Sequence, residues 1–200
     1  MNTFTAEKPA LAQLLLQNPL FVFALDYEAK EEFKAYNICL TGIGKVNAAY
    51  HLTKKISENR PGIIVNLGSA GSNTFKRGEV ISCNGFIQRD MDVTPLGFQP
   101  FETPYSKLPP LLSYGLTAPG LPEGICGTGD NFEIAHAHTD YNVIDMEAFP
   151  LAWIAMQEQI PFLCLKYISD GADGGAAEEW TEQVHKAAAA LKKEVLKLMI

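Results

Sequence analysis

Two rhythms of apolar residues run along this chain. Short unbroken apolar runs alternate with stretches in which apolar positions recur every three or four residues. Residues 6–17 have the second rhythm and predict a short helix, and "LFVFAL" (Leu20 to Leu25) predicts a buried strand. "NICLTGIG" reads as a second strand running into a glycine turn. In "KVNAAYHLTKKISENR", Val46, Ala49, Leu52 and Ile56 fall on one helical face. "GIIVNLGSAG" repeats the plan, a β-branched run followed by a small-residue turn, and "EVISCNGFIQR" alternates as a strand does. "GICGTGD", "YNVIDME", a helix from about Pro150 to Gln159 and the strand "FLCLKYISD" follow. A closing helix over Ala176 to Leu198 carries Trp180, Val184, Ala188, Leu191, Val195 and Leu198 along one side.

Strands apolar on both faces, alternating with helices, point to an α/β fold. The expectation is a three-layer α/β/α arrangement around a central mixed, largely parallel β-sheet. There is no internal repeat, low-complexity tract or linker, so residues 1–200 read as one domain. In such sheets ligands gather outside the carboxyl ends of the strands. Polar clusters at Gly42–Lys45, Asn66–Gly71, Thr128–Phe132 and Ser169–Asp170 fall at those ends, as do Asp145 and Glu147.

Those last two carboxylates raise a question. They sit in "YNVIDMEAFPLAWIAMQ", which is otherwise almost wholly apolar, and an unpaired buried carboxylate is expensive. Either they face water at a helix start or something binds them.

Composition narrows the field. The chain is 47% hydrophobic and 20% charged, as in ordinary globular proteins. A net charge of −7 argues against a nucleic-acid partner. No apolar run reaches the roughly 18 residues of a membrane span. Leu11 to Leu25 comes closest, but Gln13, Gln17, Asn18 and Pro19 interrupt it and it has neither a basic leader nor a cleavage site. A cytoplasmic protein away from membranes is the expectation. Cys39, Cys83, Cys126 and Cys164 lie in or beside strand-like segments without a C-x-x-C pair and read as buried thiols. "HAH" at His136 to His138 has no further ligand pattern near it and reads as a polar loop, so no metal is expected.

Taken singly, the motifs leave two readings each. "TGIGKVN" lacks the spacing of a phosphate loop or a dinucleotide fingerprint and reads as a tight turn. "NLGSAG" is either a backbone that a ligand approaches closely, with the Ser69 hydroxyl beside it, or a structural turn. Phe132 in "GTGDNF" either stacks on a flat ring or fills core. Ser169–Asp170 in "KYISDGAD" suits a site or a helix cap.

Their order is more specific. "GIGKVNAA", "NLGSAG", "RGEVIS", "DMDVTPLGF", "GTGDNF", "IDMEA" and "ISDGAD" follow one another over roughly residues 20–200. In this the chain resembles the methylthioadenosine/S-adenosylhomocysteine nucleosidases of the purine nucleoside phosphorylase superfamily. The resemblance implies cleavage of the N-glycosidic bond of an adenine nucleoside through a ribosyl cation-like transition state, with no cofactor. It implies that Asp170 protonates the purine, oriented by Ser169, and that Glu147 grips the ribose hydroxyls, with Met146 against the sugar. Phe132 matches the aromatic stacked on adenine, and Ser69 the serine near water and ribose. "ALDYEA" (Ala24 to Ala29) aligns with the segment bearing the water-activating glutamate, which gives Glu28 that role and puts Leu25 beside the pocket. Asp145 stands where the family usually has glutamate, in a supporting role. The segment Asp92 to Phe98 resembles one that reaches a neighbouring subunit's pocket, which implies a homodimer with Leu96 and Phe98 at the contact.

The chain also departs from the family. The stretch after Glu28 and the connection "FEIAHAHTDYNVIDMEA" are short, Glu133 replaces an apolar residue, Lys166 replaces a frequent arginine, and "GGAAEEW" is an unusual continuation. Other activities stay open on the sequence: phosphorolysis, for which the three arginines Arg60, Arg77 and Arg89 offer few phosphate ligands; hydrolysis of another purine nucleoside such as futalosine; or binding of a nucleoside without turnover.

Overall fold

The computed structural model describes residues 8–134, 136, 138–173 and 175–200. Helix α1 (Lys8–Leu16) precedes strand β1 (Pro19–Phe23), a single helical turn α2 (Asp26–Ala29) and β2 (Ile38–Leu40). Helix α3 (Lys45–Glu58), β3 (Ile63–Gly71), β4 (Val80–Gln88), β5 (Leu111–Ser113) and β6 (Glu123–Thr128) follow. The chain then forms β7 (Val143–Asp145), α4 (Ala148–Gln157), β8 (Phe162–Asp170) and α5 (Ala176–Leu198). Residues 6 and 7 of the first expected helix lie outside the described residues.

The strands form one eight-stranded mixed sheet. β8 pairs with both β3 and β4, and β3 is joined to β4 the other way through β7 and β6, so these five strands close a circuit. β1 and β2 extend it from β3, and β5 from β4. The β3–β7, β4–β5 and β4–β8 pairings are antiparallel and the other five are parallel, so the sheet is mixed. Two-sided apolar runs report that both faces of a strand are buried, and do not mark which neighbours run the other way.

Alternate strand residues feed two cores, as the two-residue period requires. Leu20, Val22, Ile64, Phe162 and Cys164 pack with Leu52 and Ile56 of α3 and with Leu151, Ala152 and Ala155 of α4. Phe21, Phe23, Val65, Leu67, Leu163 and Leu165 pack with Leu11 and Leu15 of α1 and with Leu191, Val195 and Leu198 of α5. The side chain of Val184, expected on the same stripe of α5, lies outside the described residues. All four cysteines are buried free thiols. No described helix is long and apolar enough to cross a membrane.

Two features of the sheet aim side chains at one place. "NLGSAG" is not a turn: it completes β3, which runs beside β8 for the whole of its length. At the far end the register slips between Ala70 and Gly71, so Gly71 faces Asp170 and Ser169 is the extra residue. A slip of this kind bends a strand and redirects the residue beyond it. Gly71 also meets Ile144 of β7, which brings the ends of β3, β7 and β8 together.

Candidate active site

Glu28 is buried in the turn that leaves β1. As third residue of α2 its Oε2 accepts the backbone N–H of Leu25 at 3.1 Å, a bond that closes the first turn of a helix. Its Oε1 accepts from the Ser69 amide at 2.9 Å and the Ser69 hydroxyl at 2.7 Å. The Ser69 oxygen in turn accepts from the indole N–H of Trp180 at 3.0 Å.

Asp170 ends β8. Its Oδ1 accepts the Ala172 amide at 3.0 Å, and the Ser169 hydroxyl lies 2.9 Å from Oδ2 and 3.2 Å from the Ala70 carbonyl oxygen. Gly71 leaves room for this carboxyl: a Cβ there would stand 2.6 Å from Oδ1. The absence of a side chain is therefore a packing requirement.

Asp145 and Glu147, only two residues apart, are handled in opposite ways. Asp145 receives the Lys166 ammonium at 2.8 Å, the Thr128 hydroxyl at 2.6 Å and the Ala148 amide at 2.8 Å. Burial alone would push its carboxyl up, but Lys166 and these hydrogen bonds outweigh that and hold it below the usual carboxylate range. Burial likewise disfavours the Lys166 charge, and Asp145 more than compensates, raising it well above an ordinary lysine. Glu147 accepts a hydrogen bond from the Gly44 amide, 2.9 Å from Oε1, at the start of α3. Burial first, and the Asp145 charge second, push its carboxyl up to about 8. Neither group is the solvated helix start that the sequence allowed: they are 6% and 8% exposed.

These groups wall a cavity of about 410 Å³. Of the residues singled out from the sequence, Leu25, Glu28, Ser69, Phe132, Asp145, Met146, Glu147 and Asp170 line it. Ser169 does not; it is fully buried beneath Asp170. Leu96 and Phe98 are also off this wall: Leu96 ends a 3-10 turn and is 75% exposed, and the Phe98 ring packs against Tyr105. Their expected contact is with a second subunit, so a single chain leaves it open.

Trp180 and Arg89 are on the wall without having been singled out from the sequence. Trp180 was counted with the apolar stripe of α5, yet it turns into the cavity; the short, glycine-rich link after Asp170 starts α5 close to the strand ends. Arg89 directly follows β4, whose last residue pairs with Thr128 at the end of β6, and that strand-end position was its one sequence signal. Its guanidinium is occupied by Glu133 at 2.9 Å and by the Asn131 side chain at 2.8 Å and carbonyl oxygen.

Residues 27–200 match the family model described as the phosphorylase superfamily. A 5'-methylthioadenosine/S-adenosylhomocysteine nucleosidase of Haemophilus influenzae (strain 86-028NP) is 30% identical over 185 residues, 82% of this chain and 80% of the relative. The chain belongs to the methylthioadenosine/S-adenosylhomocysteine nucleosidase family of the phosphorylase superfamily. Among solved structures, a Helicobacter pylori enzyme of that name superposes with a TM-score of 0.82 at 18% identity, covering 91% of this chain and 97% of the other. The futalosine hydrolase of Helicobacter pylori does so equally well, with a TM-score of 0.82, 19% identity and coverage of 92% and 97%. At these identities the likeness concerns the fold, and two different substrate names share it.

Two predictions follow from the electrostatics of this family member. Lys166→Met leaves Asp145 buried without its counter-charge and lowers stability by about 3–5 kcal/mol, whereas adding Asp145→Asn recovers most of that loss. Urea denaturation of the single and double variants checks it; equal losses in both would mean that the pair is not coupled. The second concerns pH. Glu147 has an ordinary value of 4.5 and is raised to about 8 when folded, so between those values the folded chain holds a proton that the unfolded chain has released. The ligand-free protein therefore loses stability from this group as pH rises from about 4.5 to about 8. In Glu147→Gln that part of the decline disappears from melting curves taken across the window; an identical slope in the variant contradicts it.

Proposed function

We propose that this protein is a purine nucleosidase that uses water to cleave the N-glycosidic bond of an adenine nucleoside of the 5'-methylthioadenosine or S-adenosylhomocysteine type. The observation that carries the reading is the convergence of Glu28, Glu147 and Asp170, from three separate elements, on one cavity wall. Loss of a purine leaves positive charge on the ribose, so the reaction needs a proton for the base, negative charge near the sugar and an activated water.

Asp170 supplies the proton to the leaving purine, with its plane held by the Ala172 amide and the Ser169 hydroxyl. Phe132 stacks on the base. Glu147 faces the ribose hydroxyls beside Met146. Raised to about 8 in the empty site, Glu147 gives up its proton to solvent as the nucleoside and its hydroxyl donors enter, so its charge is in place when the cation develops at the transition state. Glu28 takes a proton from the attacking water while Ser69 steadies it. Water adds to the anomeric carbon, the base leaves with the proton from Asp170, and the proton on Glu28 restores the balance. Asp145 does its work through Lys166, placing a neutralised pair beneath Glu147.

Water is favoured over phosphate because the cationic groups at the cavity are already engaged. Arg89 is held by Glu133 and Asn131, and Lys166 by Asp145. Purified protein should release free adenine without phosphate, and Asp170→Asn should lower turnover by on the order of 10² while nucleoside binding persists. Strict phosphate dependence would establish a phosphorylase instead, and binding without turnover in wild type a binding module. Running futalosine in the same panel separates the two substrate names that share this fold.

The same reading includes one three-layer α/β/α domain, supported by the two helix groups that alternate strand residues feed. It includes a cytoplasmic location, supported by four unpaired buried thiols. It also includes a homodimer. Val46 and Tyr50 on α3 are 78% and 62% exposed, and Leu96, Phe132 and Trp153 add apolar surface. A second copy would cover this surface and bring residues 92–98 to the neighbouring site. Light scattering should therefore give twice the 21.9 kDa chain mass, and Leu96→Asp should shift the protein toward monomer and raise KM. A fully active wild-type monomer would refute the dimer.

A further inference from the structure

The hydrogen bond from Trp180 to Ser69 has no part in the three-carboxylate scheme. Trp180 stands near the start of α5, with its ring edge-on to that of Tyr27 at 6.1 Å between centroids. Tyr27 is the residue next to Glu28 on α2. The indole thus touches both supports of Glu28: the helical turn that carries it and the serine that binds it.

The direction of the hydrogen bonds is settled by chemistry. An indole N–H only donates and an ionised carboxylate only accepts. The Ser69 hydroxyl has one proton and lies 2.7 Å from Glu28 Oε1, so that proton goes to Glu28 and a lone pair of Ser69 meets Trp180 at 3.0 Å. The run Trp180 to Ser69 to Glu28 therefore points one way, and bonds aligned like this polarise one another. With the Ser69 amide also on Oε1, that oxygen is satisfied, and Oε2, which accepts the Leu25 amide, is the atom left to take a proton from water.

We propose that Trp180 is a positioning residue for the water-activating base. Its N–H locks the rotation of the Ser69 hydroxyl, which fixes the plane of the Glu28 carboxylate. Without that donor the hydroxyl is free to turn toward water or a substrate hydroxyl, and Glu28 loses a directed partner. Because α5 begins just beyond Asp170, the same residue ties the chain segment that protonates the base to the one that activates water. The inference rests on the role assigned to Glu28.

Trp180→Phe keeps an aromatic ring on the Tyr27 side and deletes the donor together with one ring of the indole. Adenine release should show kcat lowered roughly five- to tenfold with KM changed by less than about twofold. In a Ser69→Ala background the same substitution should cost less than about twofold, because the group through which Trp180 acts is gone. Equal losses in both backgrounds, no loss of kcat, or a change in KM alone would overturn the inference. If Trp180→Phe does not fold, the indole N–H proton resonances decide, since the chain has only two tryptophans. The Trp180 signal should move and exchange faster in Ser69→Ala, and an unchanged signal counts against the bond. A wild-type protein that releases no base overturns both this inference and the nucleosidase reading. An active wild type with equal losses in both backgrounds overturns this inference alone.

Discussion

Of the five carboxylates that wall one small cavity, Glu28, Asp145, Glu147 and Asp170 are each under a tenth exposed. Removed from water, a set of like charges this close would disfavour the fold unless every member were neutralised, hydrogen-bonded or protonated. The structure uses all three means. Asp145 has an ammonium, Glu28 and Asp170 have amide and hydroxyl donors, and Glu147 keeps a proton in the empty site. Glu147 is thus the member held on the cavity wall by protonation rather than by a counter-charge.

The Lys166–Asp145 pair makes this division possible. The two groups meet at 2.8 Å, deep in the sheet. A lone ammonium there would be as costly as a lone carboxylate, so neither charge is tolerable without the other.

The sheet topology serves the same end. β3 and β8 lie side by side over their whole lengths and deliver Ser69, Lys166 and Asp170 in fixed relation. Closure of the circuit through β7 brings Asp145 and Glu147 against them. The slip at Gly71 and the missing side chain there let the Asp170 carboxyl sit across the strand pair. Helix starts finish the site: α3 through the Gly44 amide, and α5 through Trp180.

Much of this was legible in the order of residues. Periodicity located the long strands and helices, because burial of a face imposes a period of 2 or 3.6 whatever the neighbours are. Motif order singled out Glu28, Ser69, Phe132, Met146, Glu147 and Asp170, whose side-chain chemistry is local to each residue. Strand direction was not legible, since an apolar run reads the same beside a parallel or an antiparallel partner. The short β5, the single turn α2 and the inward swing of Trp180 were also missed; each has contacts with distant segments, and no local repeat marks them. The fates of Asp145 and Glu147 show the division most clearly. The sequence alone established that two acids lie in an apolar stretch and need an explanation; only the tertiary structure decided which one meets Lys166, because a buried charge is governed by what lies within a few ångströms in space, and Lys166 arrives from another strand.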